Sequence, residues 1–297
     1  MTTLALLGAG QWGKNYLETA RELSDVEIKY IVRKTADDDS RSDLKGFQGR
    51  TLGIRARDIA NVQTDVDGII IATPASTHYP IAKELLKEQN NLLIEKPLAL
   101  SVAEARELRD LQKKSGSTIL VGHLYLYNPA YRAARDGIPK LGNLKRISFR
   151  GIGSTPRDDV SVLWDWGPHP ASLFLDLVEA SIVEVTASGD SERTRFTLTY
   201  QNGMIAEAEL AWTGEKKREL IIEGDKGIII LDDAKKENKV MIEVGGAQSF
   251  PSYDTTPPLT IELAEFVDAI RGKREILSNI DMGVRITELL SQIEENL

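Results

Sequence analysis

Cysteine is absent from the sequence, so the protein has no disulfide framework and no thiolate metal site. Apolar runs are short as well, and none approaches the roughly 18 residues that a membrane-spanning helix requires. The first ten residues, MTTLALLGAG, lack the basic flank and the cleavage site of a signal peptide. Together these absences favour a soluble, globular protein of the reducing cytoplasm.

Positive charge is in deficit, with 37 lysines and arginines against 45 aspartates and glutamates and a net charge of −8. Such a surface repels polyanions, so we expect no nucleic acid partner, although a local basic pocket for a phosphorylated ligand is still allowed. Histidine is scarce too, and His78, His123 and His169 fall in separate segments without metal-ligand spacing. We therefore expect no metal site. The short apolar runs lead us to expect no membrane partner either.

The hydrophobic pattern changes character near residue 120 of the 297-residue chain. Before that point, short β-rich runs alternate with helical segments, which is typical of a parallel sheet with crossover helices. After residue 140 one strand follows another, and Asn202-Gly203 indicates a tight hairpin. We predict an α/β domain over residues 1–120 and an α+β domain with an open, mostly antiparallel sheet over residues 121–297.

Two strands of the second domain, FTLTY and IAEAEL, alternate apolar with polar side chains. One face of that sheet is therefore expected to be wet or available to a partner subunit. Because exposed extended strands favour pairing, we expect a homodimer or a homotetramer.

The stretch GAGQWG places Gly8, Gly10 and Gly13 between the apolar run LALL and the helical segment KNYLETAREL. Glycines at this spacing permit a tight turn, let backbone N–H groups approach a pyrophosphate and allow a helix to pack closely on a strand. The first strand–helix turn is also where a dinucleotide site belongs. We predict that this turn, together with Gln11 and Trp12, binds a nicotinamide dinucleotide.

The choice between the two nicotinamide cofactors depends on the strand end about 20 residues after the last glycine, where an acid favours NAD. Here that position holds Arg33, followed by Lys34, and both offer donors to the 2′-phosphate of NADP. Asp37, Asp38 and Asp39 would supply the acid if their loop folded back. The sequence therefore favours NADP, with NAD as the alternative.

Two further segments, IATPASTHYP and LLIEKPLALS, end predicted strands at the sheet edge where ligands bind. Thr73, Pro74 and His78 of the first segment are expected near the cofactor. In the second segment Glu95 and Lys96 precede a proline that stiffens the turn, in a bond that can be cis. We predict that Glu95 and Lys96 face the cofactor as well.

The stretch LWDWGPHPASLFLDL joins an acid, an imidazole and two indoles to an amphipathic pattern. Pro170 suits a first helical turn, so we expect a helix to start near His169. Asp165 precedes it in a segment that Gly167 and Pro168 should keep from being regular helix. Its carboxylate and the imidazole are then placed to meet at the helix mouth, either as a structural cap or as a catalytic pair.

The motifs of this chain resemble those of the Gfo/Idh/MocA family of glucose-fructose oxidoreductases and inositol dehydrogenases, in the order GAGQWG, ATPASTH, EKP, VGHLYLYNP and LWDWGPHP. The resemblance covers nearly the whole chain and is strongest from residue 4 to residue 178. It implies a Rossmann domain followed by an open-sheet domain, and hydride transfer between a carbohydrate hydroxyl carbon and the nicotinamide.

The resemblance implies that Lys96, Asp165 and His169 form the catalytic set. A histidine can remove a hydroxyl proton and return it near neutral pH, and a carboxylate beside it fixes its tautomer. A lysine stabilises the developing alkoxide charge and can share the proton relay. Which of Lys96 and His169 is the final base stays open.

The substrate is harder to predict, because this chain carries Tyr125, Tyr127 and Asn128 where many family members have an arginine-aromatic pair. The motifs look more like the branch that acts on nucleotide-linked sugars than like the enzymes of free inositol or glucose. We expect substrate contacts at these three residues, at His123 and at Arg157, whose guanidinium suits a phosphate or a carboxylate. The alternatives are a dehydrogenase of a free monosaccharide or polyol and a non-catalytic NADP-binding regulator, since fold does not guarantee chemistry.

Overall fold

The computed structural model describes residues 1–33, 47, 49–53 and 65–297, and it divides into two compact units. The first unit comprises Met1–Gly122 with Leu259–Val284, and the second comprises His123–Pro258 with Arg285–Leu297. Among the helices that the structure describes, none is long and apolar enough to cross a bilayer. In chain order the described α-helices are α1 (Gln11–Glu22), α2 (His78–Lys87), α3 (Val102–Ser115), α4 (Pro129–Gly137), α5 (Val162–Trp166), α6 (Pro168–Leu177), α7 (Pro258–Ile270) and α8 (Ile280–Glu294).

The sheet of the first unit consists of parallel strands: β1 (Thr2–Leu7), β2 (Val26–Arg33), β3 (Arg50–Gly53), β4 (Gly68–Ile71), β5 (Leu92–Glu95) and β6 (Ile119–Gly122). Their order is β3-β2-β1-β4-β5-β6, which confirms the predicted α/β class. Strands β4 and β5 are buried along their whole length, as expected when helices cover both faces of a parallel sheet. The strand order reverses between β1 and β4, so a ligand site is expected outside the carboxyl ends of these two strands.

The sheet of the second unit is mostly antiparallel, as predicted, and its strands are β7 (Leu144–Ile152), β8 (Ile182–Gly189), β9 (Arg193–Tyr200), β10 (Ile205–Ala211), β11 (Lys217–Gly224), β12 (Gly227–Asp232), β13 (Val240–Val244) and β14 (Ala247–Ser249). The order is β14-β13-β12-β11-β7-β10-β9-β8, and β7 pairs with β10 in parallel. The predicted hairpin joins β9 to β10, with Gly203 at φ 79° donating its N–H to Tyr200 O at 2.8 Å.

The C-terminal helices divide differently from the predicted domain boundaries, because residues 259–284 fold with the first unit rather than with the second. Phe266 and Ile270 of α7 lie so close to Gly68 in β4 that a Cβ there would be 2.8–3.1 Å from their side chains. Ile280 and Val284 belong to the core under the parallel sheet. An amphipathic pattern shows that a helix needs a core to cover, but not which core it covers.

The segment around Asp165 also differs from the prediction, because Val162–Trp166 forms the short helix α5 rather than irregular chain. Gly167 continues with helical φ and ψ, and its N–H donates to Leu163 O at 2.8 Å. A Cβ on Gly167 would lie 2.2 Å from that same oxygen. Helix α6 then starts at Pro168, next to the start near His169 that the sequence predicts.

The glycine-rich turn between β1 and α1 is closely packed at two of its three glycines. Gly8 has φ 91°, and a Cβ on it would lie 2.6 Å from Ala72 O. A Cβ on Gly13 would lie 2.0 Å from Gly8 O, so only glycine lets α1 approach the strand this closely. Gly10 is exposed, and a Cβ there would meet nothing within 4 Å in the described part of the chain.

We therefore predict that alanine at Gly13 and alanine at Gly10 affect stability by different amounts. Gly13→Ala is expected to reduce the free energy of unfolding by roughly 1–3 kcal/mol, because the added methyl overpacks the backbone of Gly8. Gly10→Ala is the matched control, and its cost should stay below about 1 kcal/mol, the scale of a changed helix cap. Urea unfolding followed by circular dichroism measures both, and equal losses would contradict the packing argument.

Candidate active site

The N-terminus of α1 has the features of an anion site. Gly10 caps the helix without a side-chain hydrogen bond from any described residue, and the first turn contains no acid. The first N–H groups of a helix lack intrahelical acceptors and carry partial positive charge, so they favour a pyrophosphate. Gln11 and Trp12 are exposed beside them. The open position at Gly10 leaves room for such a group at the point where the sequence places the cofactor.

The loop after β4 is tied to the turn after β5 by the buried ring of His78. Its Nδ1 lies 2.8 Å from Pro97 O, and its Nε2 lies 2.8 Å from Thr73 O. Thr73 also accepts a hydrogen bond at 2.7 Å from the hydroxyl of Thr77, one turn before α2. His78 thus shapes the backbone on both sides of the predicted cofactor site, and Pro74 lies in the loop that it holds.

The carboxylate of Glu95 connects the end of β5 with α1. It accepts a hydrogen bond from the hydroxyl of Tyr16 at 2.6 Å, one from the indole N–H of Trp12 and one from the backbone N–H of Lys96 at 3.2 Å. Burial raises the pKa of Glu95, while the Tyr16 hydrogen bond and the positive charge of Lys96 oppose that shift. The side chain of Lys96 is half-buried, and the peptide bond from Lys96 to Pro97 is cis. Because the backbone N–H of Lys96 donates to Glu95, the same carboxylate holds the turn after β5 and helix α1.

Sequence reasoning missed Tyr16 and Glu262, which meet at this carboxylate. Glu262 lies on α7, and its Oε1 is 3.2 Å from the Tyr16 hydroxyl. The signal was present in IELAEFVDAI, where Glu262 falls on the same helical stripe as Leu259, Leu263 and Phe266, all of them buried. A charged residue type within an apolar stripe predicts a buried, functional or structural acid.

The strand end that decides the cofactor is only partly described. Strand β2 ends at Arg33, which is half-buried. Lys34 and the three aspartates, Asp37, Asp38 and Asp39, lie outside the described residues. The position of Arg33 at the carboxyl end of a strand next to β1 agrees with a place near the cofactor.

In the second unit, His169 lies in the first turn of α6 and is surrounded by aromatic rings. The ring centroid of Tyr125 is 5.0 Å from that of His169, and the centroid of Trp166 is 5.1 Å away. The guanidinium of Arg218 stacks on Trp166 at 3.9 Å. Burial raises the pKa of Tyr125, with a smaller contribution from the charge of Asp233, so the phenol remains a hydrogen-bond donor.

Asp165 is buried, and its carboxylate is held by two donors. Trp212 donates its indole N–H at 3.3 Å, and Arg157 approaches the other oxygen at 3.5 Å. Arg157 also forms a two-pronged pair with Asp159 at 2.9 and 2.7 Å. The hydrogen bonds that Arg157 donates to Asp159, together with the charge of Asp165, raise the pKa of Arg157. Arg157, predicted as a substrate contact, is thus engaged by two acids and compensates the charge of Asp165.

Three of the other predicted substrate contacts are buried. His123 and Tyr127 are 1% and 0% exposed, and the guanidinium of Arg132 lies 5.7 Å over the ring of Tyr127. Asn128 caps α4 by accepting from the Ala130 N–H at 2.9 Å. Its amide also donates to Asp233 at 3.2 Å. These contacts give Tyr127 and Asn128 structural roles, whereas Tyr125 packs against His169.

The comparisons with known proteins agree with this architecture. Residues 2–123 match the model of the Gfo/Idh/MocA oxidoreductase family with its NAD-binding Rossmann fold. The scyllo-inositol 2-dehydrogenase (NAD(+)) of Bacillus subtilis is 24% identical over 275 residues, which cover 80% of this chain and 78% of that protein.

Two solved structures share the fold over almost the full chain. The UDP-N-acetylglucosamine 3-dehydrogenase GnnA from Acidithiobacillus ferrooxidans has a TM-score of 0.88 at 20% identity, covering 100% of this chain and 97% of its own. A 3-ketoreductase from Actinomadura kijaniata, solved with TDP-benzene and NADP, has a TM-score of 0.86 at 15% identity, covering 99% and 97%. The predicted Rossmann fold is confirmed, and the match of residues 2–123 agrees with the predicted oxidoreductase class.

Proposed function

We propose that the protein transfers hydride between a carbohydrate hydroxyl carbon and a nicotinamide dinucleotide. The observation that carries this proposal is the Glu95 carboxylate, which joins the glycine-rich turn to Lys96 within the first unit. The N-terminus of α1, which no described side chain caps, and the open position at Gly10 fit a dinucleotide. When bound, the nicotinamide ring accepts or supplies the hydride. Relatives named as sugar and inositol dehydrogenases support the substrate class.

The side chains of the catalytic set divide the remaining work. Lys96 supplies a positive charge that stabilises the alkoxide developing on the reacting oxygen. His169 removes the hydroxyl proton in the oxidative direction and returns it in the reverse direction. Asp165, held by Arg157 and Trp212, provides the fixed negative charge that orients and stabilises an imidazolium.

Loss of either Lys96 or His169 should stop catalysis but not cofactor binding. We expect Lys96→Ala and His169→Ala to lower kcat about 10²–10⁴-fold, the usual contribution of a positioned acid or base, with NADP affinity within about threefold of wild type. Steady-state reduction of the nucleotide and calorimetric titration measure the two quantities. Lys87→Ala, at an exposed lysine of α2, is the matched control and should leave both unchanged.

A protein that binds the nucleotide without catalysis would give a different result. A wild-type protein that binds the nucleotide but reduces none of it with a broad panel of sugars and sugar nucleotides would be a regulator on the same fold. Lys96 and His169 variants that retain full turnover would instead leave an enzyme with a different catalytic set.

For the substrate, we propose a nucleotide-linked sugar. One structural relative is a UDP-N-acetylglucosamine 3-dehydrogenase and another is a 3-ketoreductase solved with TDP-benzene. Tyr125 and Trp166, beside His169, are of the residue types that contact sugars and bases. The alternative is a free polyol or monosaccharide, which the inositol-dehydrogenase relative favours. Comparable kcat/KM values for free and nucleotide-linked forms of one sugar would select the alternative.

For the cofactor, we propose NADP, because a guanidinium rather than an acid ends β2. Arg33→Asp should then weaken NADP relative to NAD by about tenfold or more, the scale of one charge-assisted hydrogen bond. Titration of each nucleotide into wild type and variant gives the ratio. Lys113→Asp, at an exposed lysine in the last turn of α3, serves as a control for the change in net charge. An unchanged ratio in Arg33→Asp would mean that NAD, the alternative, is the physiological cofactor.

We also propose that the protein is a homodimer or homotetramer, joined through the polar face of the second sheet. That face carries a row of cross-strand charges in which Arg150 lies opposite Glu209 of β10 on one side and Glu219 of β11 on the other. Beside it lies a half-buried apolar strip formed by Ile221 and, opposite it, Ile230 of β12. Alternating charge around an apolar strip is self-complementary under a two-fold axis.

A charge placed in the apolar strip should dissociate this assembly. Ile230→Asp is expected to sediment as a monomer at micromolar concentration, because association would bury an unpaired carboxylate. Asp110→Lys, at an exposed position of α3, is the control and should sediment like wild type. A wild-type protein that sediments as a monomer would refute the proposal.

A further inference from the structure

Two buried acids of the first unit share one tyrosine hydroxyl. Tyr16 of α1 and Glu262 of α7 are 0% exposed, and Glu95 at the end of β5 is 6% exposed. The Tyr16 oxygen lies 2.6 Å from Glu95 Oε1 and 3.2 Å from Glu262 Oε1. The family model ends at residue 123, so the acid on α7 lies outside the matched segment.

The two contacts of the Tyr16 oxygen differ in which group donates the hydrogen. A phenol has one hydrogen to donate, and the shorter contact assigns it to Glu95. The second contact is a hydrogen bond only when the Glu262 carboxyl carries a hydrogen and the Tyr16 oxygen accepts it. With both acids ionised, the carboxylate of Glu262 would face the lone pairs of the phenol.

The surroundings of the two carboxyls assign the proton to Glu262. Glu95 accepts from Trp12, Tyr16 and the N–H of Lys96, and three donors suit an ionised carboxylate. Glu262 Oε2 is buried and has no hydrogen-bond partner in the described part of the chain. An ionised carboxylate left in this way would cost far more than a neutral acid.

Charges on the neighbouring elements act in the same direction. Burial raises the pKa of Glu262 well above its ordinary value, and the negative charges of Glu95 and Glu265 raise it further. Among the described residues, the phenol of Tyr16 on α1 and the ammonium of Lys96 after β5 act on Glu95, and Arg274 is paired with Glu265 at 3.5 Å. Gly122, at the end of β6, contributes no side chain, and a Cβ there would be 3.2 Å from Glu95 Oε1.

We propose that the protonated carboxyl of Glu262 donates to the Tyr16 hydroxyl, which donates to the ionised Glu95 carboxylate, so that Glu262 and Tyr16 are positioning residues for Lys96. The assignment of a catalytic role to Lys96 rests on the proposed function. The chain of donors leaves Glu95 with one orientation, in which it accepts the backbone N–H of Lys96 and attracts its ammonium. Helix α7 thereby contributes Glu262 to the positioning of Lys96.

Infrared difference spectroscopy tests the proton on Glu262 without any turnover. The spectrum of wild type minus Glu262→Gln at neutral pH should show the carbonyl band of a protonated carboxylic acid, with the small downshift in D₂O that such a group gives. Tyr16→Phe should move this band to higher frequency, because the hydrogen bond to the phenol oxygen is lost. Glu84→Gln, at an exposed glutamate, is the control and should give no acid band. Absence of the band in wild type overturns the proposal.

The positioning role is tested by comparing three variants in pH profiles of kcat/KM. Tyr16→Phe and Glu262→Leu should each lower kcat/KM about tenfold and shift the profile, whereas Glu262→Gln, whose amide still donates to Tyr16, should recover part of the loss. Profiles of Tyr16→Phe and Glu262→Leu that coincide with wild type would overturn the positioning role. A wild type without turnover on any sugar refutes the proposed function, and the infrared band still decides the state of Glu262.

Discussion

The buried carboxyl of Glu95 is the constraint that aligns α1 with the end of β5 in the first unit. Burial raises the pKa of Glu95, and three donors together with the ammonium of Lys96 offset part of that cost. The donors come from α1 and from the turn after β5, so satisfying one charge fixes the glycine-rich helix relative to the strand end. A neutral residue of the same size would fill the space without imposing this alignment.

In the second unit, a different kind of partner holds the buried acid Asp165. Asp165 lies in the short helix before His169, where Arg157 supplies a counter-charge and Trp212 supplies a hydrogen bond. The arginine is in turn held by Asp159 in the loop before α5. The rings of Tyr125 and Trp166 pack against the imidazole of His169 at interplanar angles of 58° and 70°. Both units thus surround a buried acid with donor groups, using residues that do not themselves react.

Local patterns in the sequence were sufficient for the glycine-rich turn, for the strand ends that carry Thr73 and Lys96, and for the start of α6, because each depends on neighbours within a few residues. The partnership of Tyr16 with Glu262 spans 246 residues and follows from how α7 folds back on the sheet. The ion pairs of Arg157 were not predicted either, because an arginine in a loop beside two aspartates is equally consistent with a ligand contact. Residue type therefore identified the charged groups, whereas their partners required the fold.

The first unit is discontinuous in sequence, since Leu259–Val284 completes the core that begins with Met1–Gly122. During synthesis, β4 and its neighbours leave the ribosome long before Phe266, Ile280 and Val284 are available to cover them. The apolar surface that these residues bury must remain uncovered while the whole intervening unit is translated. The core of the first unit is thus complete only after Leu259–Val284 has been made, and a nascent chain halted before α7 leaves that apolar surface exposed to chaperones.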